Sequence, residues 1–252
     1  MQSKNGTSGN PITFTNYQDE VVELNGTEEI TSSWTQHSGN IYKTTLSADI
    51  WQLFVDDDMM ISARWPNATA WDGFWDNTVY WGHGTSSDSD GTQYDNPHDS
   101  VDLAGEGKSF AGGMAVLNVG NWKSWARVIN SHTSGSNHFT YDAIGGGYKT
   151  QWETHRYFLE CKLNMLDAEK EWFYDDGTNV LYLWAPGGGS PSGTIEGKTL
   201  SYAFDVDDCD YIVIDGLDFF ATTFKFSESS QITVENCDLL YPSYSKRMLG
   251  DT

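Results

Sequence analysis

Cysteine, proline and positive charge are all scarce in this chain of 252 residues. The three cysteines, Cys161, Cys209 and Cys237, are widely spaced and form no CxxC pair. An odd, dispersed set excludes a disulfide framework and a zinc knuckle. Against 36 Asp and Glu stand only 14 Lys and Arg, so the formal net charge is −22, with no basic run. That balance excludes nucleic acid and anionic membrane surfaces as partners. No stretch approaches the ~18–20 apolar residues that a membrane-spanning helix needs. The polar opening Met1-Gln2-Ser3-Lys4-Asn5-Gly6 has no signal-peptide core, so the chain is either cytoplasmic or stripped of an export signal. Also missing are Gly-x-Ser-x-Gly, HExxH and a dinucleotide fingerprint, and Gly145-Gly146-Gly147 lacks the Lys-Ser/Thr of a phosphate loop. Serine-hydrolase, zincin and Rossmann chemistry are thereby set aside.

What the chain does have is an internal repeat near its end. Residues 211–222 and 231–242 overlay at an offset of 20: Ile212 on Ile232, Ile214 on Val234, Leu217 on Cys237, Asp218 on Asp238, Phe219 on Leu239. Each copy reads as an alternating strand, a polar turn and a second short apolar strand. A period near 20 with this content predicts stacked rungs of a parallel β-helix, because one rung cannot bury its own apolar face. A chance pair of strands in a β-sandwich is the competing reading. Leu217 and Cys237 are expected inside the stack, and Asp218 and Asp238 at a stacked turn.

Taken in order, Pro11-Ile12-Thr13-Phe14-Thr15 and Val21-Val22-Glu23-Leu24 predict two strands around a polar corner, again one rung. Asp56-Asp57-Asp58 predicts a hairpin turn between Leu53-Phe54-Val55 and the strand that begins at Met59. Residues 68–110 show little periodicity and are rich in Trp, Asp, Ser and Gly. Within them Asp88-Ser89-Asp90-Gly91 opens like a calcium loop but lacks the later ligands and closing Glu, so it reads as a solvated turn. Residues 163–171 are the one stretch read as a short helix. Trp172-Phe173-Tyr174, an Asp175-Asp176-Gly177 turn and Leu181-Tyr182-Leu183 predict a further hairpin.

Several phrases resemble secreted right-handed parallel β-helix proteins of the pectin-lyase-like superfamily. They are Gly6-Thr7-Ser8-Gly9-Asn10-Pro11-Ile12-Thr13-Phe14, Gln52-Leu53-Phe54-Val55-Asp56, Ala63-Arg64-Trp65-Pro66-Asn67, Glu171-Trp172-Phe173-Tyr174-Asp175, Leu181-Tyr182-Leu183-Trp184-Ala185-Pro186 and Tyr211-Ile212-Val213-Ile214-Asp215-Gly216-Leu217. The resemblance implies an all-β fold: right-handed parallel β-helix rungs with a large β-rich insertion of hairpins and antiparallel strands. The organisation expected is a first rung at 4–26, an insertion or cap at 27–193, and resumed rungs at 194–252 in a chain truncated soon after. It further implies an extracellular or periplasmic protein that acts on a polysaccharide as a lyase or glycoside hydrolase, with a non-catalytic glycan-binding module as the alternative.

Lyase chemistry needs a base near a uronate carboxylate, with a cation or Arg to neutralise it. Arg127, His132, His138, His155 and Arg156 are the candidate catalytic residues, with Lys246 and Arg247 as further basic groups, while Arg64 reads as a structural tie. Hydrolysis needs paired carboxyls, and 36 of them give no discrimination. The 11 Trp and 13 Tyr fill a core and also suit flat sugar faces. Trp71, Trp75, Trp81 and Tyr141 are the candidate substrate-binding residues. No metal site and no cofactor are expected, calcium being the weaker alternative. The last rung, left open, is where a second copy is expected to associate.

Overall fold

The computed structural model describes residues 1–18, 20–68, 78–120, 122–149 and 155–252. Among them the regular structure is all-β, apart from short 3₁₀ turns such as Leu163–Met165 and Arg247–Leu249. The chain divides into two compact units.

The first unit comprises Met1–Ile30 and Glu196–Ser245. Most of its strands run in parallel ladders, while Thr27–Glu29 pairs antiparallel with Ile195–Lys198. Ile12–Thr15 pairs with Asp210–Asp215, which pairs with Ser230–Glu235. Glu23–Asn25 pairs with Asp218–Phe220, and that with Leu239–Leu240. Tyr202–Asp207 pairs with Thr223–Ser227. The 20-residue offset is the ladder register, since Ile212 lies opposite Ile232 and Phe219 opposite Leu239. β-branched and aromatic residues alternate inward. In the middle layer Val206, Ile212, Ile214, Leu217 and Phe219 are buried; Ile12, Phe14, Ile232, Val234 and Cys237, in the layers on either side, are half-buried. Rings pack edge-to-face through this interior, Phe14 on Phe204 at 5.1 Å and Phe219 on Phe224 at 5.8 Å between centroids. Polar residues stack at the corners. The Asp210 N–H donates to Asn5 Oδ1 at 2.8 Å, and Asp210 Oδ1 accepts the Ser230 N–H at 3.0 Å.

Left-handed backbone recurs at the same spacing. Asp208 and Glu228, Tyr211 and Gln231, Gly216 and Asn236, Ala221 and Tyr241 all have φ between 47° and 69°. Only one of these eight residues is glycine. A non-glycine residue in that region is held against a steric cost of about 1 kcal/mol, which the stacked layers sustain. The exposed Glu228 (φ 47°) offers a test. Glu228→Gly is expected to raise stability by about 0.5–1 kcal/mol in urea unfolding; a loss would show that its conformation is unstrained.

Lys198 carries a second measurable consequence. Its side chain is 0% exposed and its Nζ donates to the Ser243 carbonyl oxygen. Burial lowers its pKa to about 8. The unfolded chain therefore binds the proton more tightly between pH 8 and the ordinary lysine value of 10.5. Stability rises with pH across that window, by roughly 3 kcal/mol at most. Lys198→Met should abolish the rise, read from unfolding free energies at pH 7.5 and 10; an unchanged slope would mean the ammonium is hydrated.

The second unit comprises Thr31–Ile195 and Lys246–Thr252. An antiparallel sheet runs in the order Gly82–His83, Arg156–Glu160, Met114–Asn118, Trp125–Ser131, His138–Tyr141, Thr92–Tyr94, and Arg64–Trp65 also pairs with Arg156–Glu160. One face carries the core, including Trp65, Leu103, Phe110, Leu117, Phe139, Tyr157 and Leu159. A second sheet runs Thr35–Ser38, Ile41–Thr45, Val180–Leu183, Glu171–Asp175, Ile61–Ser62, the last pair parallel. Its Phe173, Tyr182 and Trp184 pack against the same core. The hairpin Leu53–Val55 to Asp58–Met59 turns on Asp56 and Asp57, both at positive φ. Two such residues match a type I′ turn, whose twist suits a two-residue connection.

One expectation is corrected here. Residues 163–171 form only the 3₁₀ turn Leu163–Met165. The Glu171 carboxylate accepts the N–H groups of Asp167 and Ala168, at 3.0 and 3.2 Å, which a helix would have used itself. Lys170 at φ 70° then leads the chain into the strand Glu171–Asp175.

Candidate functional site

The end of Arg156–Glu160 in the second unit carries a buried charged cluster. Arg64 lies opposite Glu160 in the sheet, and its guanidinium donates to the carbonyls of Pro66 at 2.8 Å and Tyr80 at 2.6 Å. It also covers the Phe158 ring, 4.1 Å from the centroid. Burial lowers its pKa to about 10, outweighing the opposing pull of Glu160 and Glu171. Glu171, 1% exposed, accepts N–H bonds from Arg64, Asp167 and Ala168, and burial pushes its carboxyl up to about 8. The Arg247 Nε donates to Glu160 Oε1, and that carboxylate raises the guanidinium pKa. Arg64 is a structural tie, as its place in the sequence suggested.

Arg247 of this cluster also lines a recess of about 280 Å³. Met114 and Val128, paired across the sheet, supply one wall. Phe173, Asp175 and Asp176 come from the facing hairpin, and Arg247 from the last 3₁₀ turn. The volume sits just under the ~300 Å³ at which small-molecule sites begin. Asp175 is half-buried, with Oδ1 accepting the Gly177 N–H at 3.2 Å, while Asp176 is exposed. Carboxylate acceptors, a guanidinium and a half-buried ring suit a hydroxyl-rich ligand with one apolar face. Acid catalysis needs a protonated carboxyl within reach of substrate. Glu171 has the raised pKa but is buried and does not line the recess, so it braces the loop at Asp167 and Ala168.

The residues singled out from sequence are dispersed. Arg127 donates to the Ala126 carbonyl at 2.7 Å and the Asp142 carbonyl at 3.2 Å. His132 accepts the Phe110 N–H on Nδ1 at 3.1 Å and donates from Nε2 to the Ser136 carbonyl at 3.1 Å. Burial lowers its pKa, in keeping with a neutral ring. His138 is exposed, stacked on Tyr94 at 4.9 Å. His155 is buried against Asp88, Nδ1 to Oδ2 2.7 Å. Arg156 lies opposite His83 and Asn118, with the strand Met114–Asn118 between it and Arg127. These five do not meet in one groove. Trp81 is buried edge-on to Phe158 at 5.5 Å, and the Tyr141 ring is in the core. Trp71 and Trp75 lie outside the described residues. Lys246 covers the Trp51 ring at 4.1 Å, and Arg247 alone of the basic candidates lines the recess. Asp175 and Asp176 were legible only as turn residues. Among the described residues no three His, Cys, Asp or Glu side chains converge as a metal-binding group.

No family model matches the chain, and no curated protein matches it. A solved structure titled "Glycoside hydrolase" is similar in fold, with a TM-score of 0.57 at 15% sequence identity. The match covers 85% of this chain and 39% of the other, so this chain spans about two fifths of its neighbour's length. At that identity the likeness is one of fold.

Proposed function

We propose that the chain is a carbohydrate-active protein of glycoside-hydrolase type that acts on an extracellular polysaccharide. The observation that carries this reading is the fold likeness, over 85% of the chain, to a structure with that title. The parallel ladders of the first unit support a right-handed parallel β-helix, and the acidic composition suits an extracellular or periplasmic setting. The recess bounded by Asp175, Asp176 and Arg247 is the proposed glycan subsite. A second reading, glycan binding without turnover, is favoured by one feature: His132, His155 and Glu171 are committed to internal hydrogen bonds. Association with a second copy through the last layer, where Leu239 and Leu240 are exposed, is the matching proposal for that surface. A sedimentation series that stays monomeric at every concentration removes it.

The intact chain should be screened on neutral and uronate-containing polysaccharides. New reducing ends report hydrolysis, ultraviolet absorbance of unsaturated ends reports elimination, and affinity electrophoresis reports binding. Binding with new reducing ends supports the hydrolase reading, and binding alone supports the second. A folded protein that neither binds nor cleaves any member overturns both. Asp176→Ala, at an exposed position, should weaken glycan binding about tenfold, the effect of removing one charged hydrogen bond. An unchanged affinity would place the glycan elsewhere.

A further inference from the structure

Phe173, in the wall of the recess, begins a row of rings that leads away from it. It lies directly opposite Tyr182 in the sheet, and the two rings are 6.2 Å apart between centroids, 28° from parallel. Tyr182 in turn meets the His37 ring at 5.0 Å and 77°. Phe173 belongs to Glu171–Asp175, Tyr182 to Val180–Leu183 and His37 to Thr35–Ser38. Between the last two runs Ile41–Thr45, which sets Lys43 opposite both Tyr182 and Thr35. The row therefore crosses four neighbouring strands and ends at the edge of the sheet. At about 4.8 Å per strand, that is a span of roughly 14 Å.

Exposure follows the two-residue alternation of the strands. Trp172, Tyr174, Leu181 and Leu183 turn to the other face and are buried. Phe173, Tyr182 and Lys43 are half-buried, and all of Thr35–Ser38 is exposed. Phe173 and Tyr182 rest on the core on one side and keep part of each ring open to solvent. The row is also distinct in charge. In a chain of net charge −22, the strands Thr35–Ser38, Ile41–Thr45 and Val180–Leu183 contain no Asp or Glu.

Aromatic rings without carboxylates, edged by a phenol, an ammonium and an imidazole, match the surface of a sugar chain. Its C–H faces lie on rings, and its hydroxyls reach the polar tips. A single sugar unit would need the recess alone, whereas a row of this length continues it for a polymer. Resting on the glycan reading of the recess, we infer that the bound chain leaves the recess at Phe173, crosses Tyr182 and ends at His37. The sheet face then selects for length: it binds a run of several sugar units more tightly than a short end.

The test is calorimetric titration of the intact chain with disaccharides and hexasaccharides of the glucan, xylan, mannan and galacturonan classes. For the class that binds, the hexasaccharide is expected to bind about tenfold or more tightly than the disaccharide. His37→Ala, at an exposed position, should weaken hexasaccharide binding about three- to tenfold, the yield of one aromatic contact, and leave the disaccharide unchanged. Tyr182→Ala should do the same, and Tyr182→Phe, which keeps the ring, should restore most of the loss. Asp176→Ala, in the recess, should weaken both lengths. Equal affinity for the two lengths, or hexasaccharide binding that neither His37→Ala nor a folded Tyr182→Ala alters, overturns the row and assigns its rings to packing, while the recess reading stands. No binding of any of these sugars by the folded protein overturns the recess reading, and the row with it.

Discussion

Replacing His155 with alanine is expected to remove about 3–5 kcal/mol of stability, the scale of breaking a buried ion pair. Both ring nitrogens face acceptors, Asp88 Oδ2 at 2.7 Å from Nδ1 and the Lys149 carbonyl at 2.8 Å from Nε2. The ring is thus held between a buried carboxylate and a backbone carbonyl. Neither side chain reaches solvent. Without the imidazole, Asp88 keeps a buried charge held by the Tyr94 N–H alone among its described protein partners. The loss propagates, because Gly84 donates its N–H to the His155 carbonyl at 2.7 Å and packs on the same carboxylate. Urea unfolding of His155→Ala, Asp88→Ala and the double variant gives the measurement. The double variant should cost much less than the sum, since removing both partners leaves no orphaned charge. A loss below about 1 kcal/mol for His155→Ala would show that water already reaches the pair.

Glu171→Ala is expected to cost a similar amount, roughly 3–5 kcal/mol, by a different route. Three backbone N–H groups, those of Arg64, Asp167 and Ala168, lose their acceptor at once. Glu171→Gln keeps one acceptor oxygen for the Asp167 and Ala168 N–H groups, sets an amide NH2 against the Arg64 N–H, and cannot titrate, so it isolates the pH-dependent part of the contribution. Burial raises the carboxyl to about 8 from an ordinary 4.5. Between those values the unfolded chain releases the proton more readily, so this group's stabilisation is complete below pH 4.5 and lost as pH rises through 8. The decline is bounded at roughly 5 kcal/mol. Unfolding free energies of the parent at pH 5 and 8 should therefore differ more than those of Glu171→Gln. A parallel dependence would mean that Arg64 keeps Glu171 ionised throughout.

Both residues show why the site was harder to read than the scaffold. His155 appeared in the sequence as a basic side chain beside Arg156, and its partner lies 67 positions away. Glu171 sat at the end of a stretch with helical character, and nothing local signals that its carboxylate folds back over Asp167 and Ala168. Asp175 and Asp176 read as ordinary turn residues, and Arg247 as one basic group among several. Only the packing of two sheets brings them round one recess. The left-handed corners were equally silent. Tyr211, Ala221, Glu228, Gln231 and Tyr241 carry no glycine-like signature, because their conformation is imposed by the layers above and below.

The sequence by itself determined the all-β character and the 20-residue register that sets Ile212 against Ile232 and Phe219 against Leu239. It did so because alternation and stacking are local demands, met by β-branched and aromatic residues at fixed spacing. The tertiary structure decided which residues from the two ends of the chain share a ladder, Ile12 with Ile212 across 200 positions. It also decided which charged groups are buried and paired, such as His155 with Asp88 and Arg247 with Glu160. Those outcomes depend on desolvation and long-range closure, which no local pattern of residues encodes.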